Sequence, residues 1–157
     1  MNLYLAIKLA HILGAAILFG TGLGIAFFMV MAHRTHDAKL IAHTAGVVVT
    51  ADWLFTATAV ILQPVTGLAL AHLAGYSLTE SWIIASAFLY VVTGAFWLPV
   101  VWMQMRLRRL AWAAAAASTG LPEDYDRLFR IWFAFGFPAF AAVIAIFALM
   151  LWKPRLW

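Results

Sequence analysis

Two imidazoles set in otherwise apolar sequence are the residues of this chain best suited to chemistry. His11 stands in Lys8-Leu9-Ala10-His11, inside the nearly uncharged run Leu3–Ala32, and His72 lies near the end of a second such run in Leu70-Ala71-His72. An imidazole offers one ring nitrogen as a lone-pair donor, and two at matching depth on neighbouring helices can hold the iron of a haem b. Ionisable residues inside membrane segments are costly and usually functional. Helix rise puts His11 about 31 Å from the far end of its run, and His72 about 40 Å from the start of its own. Tilt shortens both, so the sequence predicts rings at similar levels on adjacent antiparallel helices. Lys8, a turn before His11, supplies a cation for a propionate at the interface. Gly14 and the Gly20-x-x-x-Gly24 pair are expected to keep the helix surface clear for a flat ligand or a second helix. The alternatives are plainer: His11 as a packing residue satisfied by its neighbours, His72 as an interfacial residue facing water.

Other polar residues frame competing chemistries. Asp52 lies about two turns into the second run, next to Trp53, and Gln63-Pro64 follows on the same helix. The spacing from Asp52 to Gln63 is close to three helical turns, which predicts that both share a face. Asp52 reads either as a structural ion pair with Arg130 or Arg106, or as a contact for a proton or substrate. Pro64 removes the hydrogen bond to the carbonyl of Val60 and is expected to kink the helix. Met29, Met31, His33 and His36 form a soft thioether and imidazole set that would suit copper(I), although methionine is also a common filler of apolar helices.

These residues need membrane helices to position them. The 157-residue chain is 66% hydrophobic and 10% charged, with a mean hydropathy of +0.97, more apolar surface than a soluble domain of this size can bury. Four spans are predicted, at 3–32, 45–74, 82–105 and 130–152, in one transmembrane domain covering 1–157. The fold class is therefore all-α, an integral membrane four-helix up-down-up-down bundle, with the lipid bilayer as its first partner. The first span is longer than a signal peptide's apolar segment and lacks a basic leader, so it is expected to stay attached. The chain has no cysteine, which excludes disulfides, thiolate catalysis, iron–sulfur ligation and covalent c-type haem. The net charge of +4 comes from loop arginines facing headgroups, and nothing points to nucleic acid. Arg34, Lys39, Arg106, Arg108, Arg109, Arg127 and Arg130 outnumber Lys8, Lys153 and Arg155 on the other side. That asymmetry places the basic loops in the cytoplasm and both termini in the periplasm of a bacterial inner membrane. Tryptophans 82, 97, 102, 152 and 157 are expected in the interfacial belts.

The segments KLAHILGAAILFGTGLG, ADWLFT, QPVTGLALAHLAGY, WLPVVWMQMRLR and RLFRIWFAFGFPAF resemble a family of small four-helix predicted integral membrane proteins of unknown function, over essentially the whole chain. More distantly, the outline is similar to the HemJ-type protoporphyrinogen oxidases and the CopD-type copper-resistance membrane proteins. Lys8-x-x-His11, the arginine-led last helix with its internal Pro138, and Lys153-Pro154 carry the first of these likenesses. It implies a haem b or porphyrin among the helices, with His11 at the position of the family histidine, and a HemJ-like oxidoreductase activity. The chain has Ala26-Phe27-Phe28 where HemJ proteins carry a Pro-Arg pair, so porphyrin binding is implied more directly than oxidase chemistry. The resulting expectation is a haem b-binding, redox-related membrane protein, with His11 and His72 as iron ligands and a redox partner or second copy as possible company. The competing expectations are a copper-handling or transport protein and a structural or accessory subunit.

Overall fold

With no water in hydrocarbon to satisfy the main chain, the apolar runs must close their hydrogen bonds internally, and they do so as helices. A computed structural model describes residues 2–157. Helix α1 spans Leu3–His33 and α2 spans Ala38–Ala51; the π-helical turn Asp52–Thr56 joins α2 to α3, Ala57–Leu73. Helices α4, Ser81–Ala117, and α5, Glu123–Trp152, complete the chain. Four helical rods, counting α2 to α3 as one, are long and apolar enough to cross a membrane. They form an all-α up-down-up-down bundle with both termini at one end, here the terminal end. The opposite end, carrying the arginine-rich connections, is the basic end.

The rods are longer than the hydropathy pattern alone predicts, because hydropathy marks the immersed part and capping marks the helix. Asp37 accepts from the backbone N–H groups of Lys39 (2.7 Å) and Leu40 (3.3 Å), so α2 starts seven residues before the expected position 45. Alanines carry α4 on to Ala117, where Ser118 takes a left-handed conformation. Glu123, Asp124 and Asp126 occupy the first turn of α5 and complement its dipole, which moves its start ahead of position 130. The turn after α3 requires Gly75, at φ +73°.

The core sits at the basic end. Ile25 and Met29 of α1, Ile41 and Val48 of α2, Met103 and Leu107 of α4, and Tyr125, Phe129 and Trp132 of α5 form one buried cluster. Towards the terminal end the packing divides. There α3 lies on α1, α4 lies on α5, and α3 makes few close backbone approaches to α4. Phe19 bridges from α1 to α5 by stacking on Phe140 at a centroid distance of 4.6 Å. The Gly20–Gly24 pair is not a helix contact within this chain. A Cβ at Gly20 would meet nothing within 4 Å, and one at Gly24 only its own helix's Phe28. Gly20 is nine residues from His11, half a turn around the helix, so it does not clear the histidine's face.

Pro64 shows how the divided half is tied together. Lacking an N–H, it leaves the Val60 carbonyl without its helical donor, and the Tyr90 hydroxyl of α4 donates to that oxygen instead. Tyr90→Phe is expected to cost about 1–3 kcal/mol, the penalty of an unsatisfied buried carbonyl. In a Pro64→Ala background the helix supplies its own donor, and Tyr90→Phe should then be nearly silent. A double-mutant cycle on unfolding in detergent measures this, and additive costs would refute the assignment.

Candidate functional site

The predicted site residues do not come together in one place. His11 packs on α3, where its Nδ1 lies 2.8 Å from Thr66 Oγ1. Thr66 has a single hydroxyl hydrogen and places it on the Leu62 carbonyl at 2.7 Å, nearer than the Gln63 carbonyl at 3.2 Å. With its hydrogen placed there, the Thr66 oxygen can accept from His11 Nδ1–H. That arrangement selects the tautomer in which Nε2 keeps its lone pair. Gly67 makes the approach possible, since a Cβ there would come within 3.3 Å of His11 Cε1. Gln63 completes the contact by donating Nε2–H to the His11 carbonyl at 2.9 Å.

Gly14 is buried at the same contact, yet it does not clear room for a ligand. A Cβ on Gly14 would stand 2.5 Å from Gln63 Nε2, so this glycine admits the glutamine. Lys8 is exposed, with Nζ 5.7 Å from the centre of the Tyr4 ring. His72 is not level with His11. It is exposed and lies six residues beyond Thr66, about 9 Å of helix rise, so the two rings do not share an iron axis. The expectation of matching depth fails because tilt was asked to cancel a difference that the α1–α3 register keeps.

Asp52 belongs elsewhere. It is 4% exposed and accepts from the Trp97 indole Nε1–H of α4 at 3.3 Å. The Thr56 hydroxyl lies against that carboxyl without closing a hydrogen bond of ordinary geometry. Neither Arg106 nor Arg130 is its partner. Arg130 is exposed at the basic end, lining a groove with Glu123, Asp124, Asp126 and Arg127. The shared face expected for Asp52 and Gln63 is also lost, because the π turn adds a residue and rotates the remainder of the rod by about 100°. Asp52 bonds towards α4, Gln63 towards α1. Trp97 is correspondingly no interfacial belt residue. Because the pair is not ionic, Asp52→Asn should shift unfolding by no more than about 1 kcal/mol, the amide oxygen still accepting from Trp97. A loss of about 3–5 kcal/mol, typical of a broken buried ion pair, would restore the ionic reading.

The soft set does not converge. Met29 is 0% exposed in the core whereas Met31 is 39% exposed on the opposite side of α1. His33 stacks on Phe129 at 3.8 Å with rings 10° apart, and His36 is exposed in the following turn. Among the described residues no group of three or more His, Asp or Glu is placed to hold a metal ion.

Sequence comparison agrees with this architecture. Residues 5–154 match the family described as predicted integral membrane protein (DUF2269). The chain belongs to that family. No curated protein and no solved structure matches it. Within this DUF2269 chain, sequence reasoning passed over Thr66, Gly67 and Tyr90 and assigned Trp97 to the interfacial belt. Thr66 does carry a signal, being one turn from Gln63 and so on its face. Trp97 carries none, since an indole near a span end is ordinarily interfacial.

Proposed function

We propose that this membrane protein binds haem b, with His11 as its single axial ligand. The supporting observation is the donor count at Thr66, which engages Nδ1–H and leaves the Nε2 lone pair for the metal. Metal-ligating histidines almost always donate their other ring hydrogen to a fixed acceptor, which holds the ring and raises its basicity. Haem held this way would supply one-electron chemistry. The chain's own residues do the rest. Thr66 holds the proton at Nδ1, Gly67 admits the ring edge, and Gln63 pins the backbone of His11. Lys8 lies one turn towards the terminal end, where an ammonium can meet a propionate. His72 is left out of this reading by its level, and the copper reading by the divergence of Met29 and Met31.

A second reading has its own support. His11, Thr66, Gly67, Gln63 and Gly14 satisfy one another as an interhelical lock, which alone would explain a structural subunit. Absorption of protein purified from haem-supplied cells separates the two. A Soret band is expected, and colourless protein would leave only the lock. For orientation, we infer that the basic end is cytoplasmic and both termini are periplasmic in a bacterial inner membrane. Reporter fusions after Lys39 and after Ser77 should then report cytoplasm and periplasm respectively, and the reverse pattern would overturn the assignment.

A further inference from the structure

Buried polar atoms in a folded chain are hydrogen-bonded, and each exception calls for an explanation. Five side-chain atoms here have no partner among the described residues: His33 Nδ1, Thr56 Oγ1, Gln104 Oε1, Tyr125 hydroxyl and Trp132 Nε1. They are not scattered. His33 lies 5.8 Å from the Tyr125 ring at the basic end. Trp132 is seven residues from Tyr125, two turns along the same face of α5. Gln104 is likewise two turns from Trp97 on one face of α4. Thr56 stands one turn from Asp52, to which Trp97 donates. Tyr125, Trp132, Gln104 and Thr56 are each at most 5% exposed. By chain position, Gln104 lies between the Arg108 side chain against Gly46 and the Trp97–Asp52 bond. The unpartnered atoms thus ascend from the basic end to the π turn.

Asp52 has no charged company at that depth. Between His11 and His33, α1 has no charged or titratable residue, and α5 has none between Arg130 and Lys153. On α4, only Tyr90 lies between Glu80 and Arg106, and it is bound to Val60. Between His43 and His72, Asp52 stands alone on its own rod. A carboxyl whose neighbouring donors are the Trp97 indole at 3.3 Å and the Thr56 hydroxyl, with no cation nearby, is left with unfilled lone pairs.

We propose that these atoms line a file of buried water running from the His33–Tyr125 end of the bundle to Asp52, an inlet by which hydrogen ions reach that carboxyl from the basic end. Buried waters bridge otherwise unsatisfied polar groups, each making two to four hydrogen bonds. The roughly 10 Å from Gln104 to the level of Trp97 is a span of about three waters. The π turn fits this role, since such turns concentrate at working sites. The inference is independent of the haem reading, because none of its residues belongs to the His11 contact.

The hydrogen on Trp97 Nε1 lies against the Asp52 carboxyl, so its exchange reads delivery to that group. Protein labelled with 15N-tryptophan, in nanodiscs, is expected to show water cross-peaks at the Trp97 and Trp132 indoles and exchange of both in D2O within minutes. Indoles without water cross-peaks and protected for hours would overturn the proposal. Gln104→Leu should slow Trp97 exchange at least tenfold, whereas Met103→Leu, next to it but apolar, should not. An unchanged Trp97 rate in Gln104→Leu would equally overturn it. Gln104→Met serves the same comparison should the leucine variant fold poorly.

Discussion

His11→Ala is expected to abolish the Soret band of the haem-supplied protein entirely. Leu9, Ala10 and Ile12 offer no replacement ligand, and His72 lies about 9 Å further along its helix than Thr66. Thr66→Val keeps the shape but removes the acceptor of Nδ1–H, and should weaken haem affinity about 10–100-fold, the usual effect of losing a ligand's outer partner. His72→Ala should leave both the band and the iron's spin state unchanged. Titration of apoprotein with haem, followed by absorption, measures all three. Full binding by His11→Ala would remove the histidine from any ligand role and return it to the interhelical lock.

The largest structural effect is expected at Phe129. Its ring is 6% exposed, lies 3.8 Å from the His33 ring and is flanked by Tyr125 and Trp132. Phe129→Ala should destabilise the protein by about 3–5 kcal/mol, the range for deleting a buried aromatic ring. Phe88, 66% exposed on α4, faces outward, and Phe88→Ala should change stability by less than about 0.5 kcal/mol. Unfolding in a graded detergent mixture compares them. Equal losses would mean that the terminal half is packed as tightly as the basic half. The contrast bears on function, since the divided terminal half is where His11 meets α3.

Composition and span length were sufficient to establish an all-α membrane bundle with four rods. That result depends on summed hydropathy and on the backbone's need to close its own hydrogen bonds, both properties of each segment separately. The singular placement of His11 and Asp52 was legible for the same reason, as was the freed Val60 carbonyl, which stems from the chemistry of Pro64 alone. Partners were not legible. His11 meets Thr66 instead of His72, Asp52 meets Trp97 instead of an arginine, and Gly14 admits Gln63 instead of a ligand. Which residues meet depends on the register between rods and on one added residue in the π turn. A shift of a single residue rotates a helix face by about 100°, and only the packed tertiary structure selects among the registers that the same apolar pattern allows.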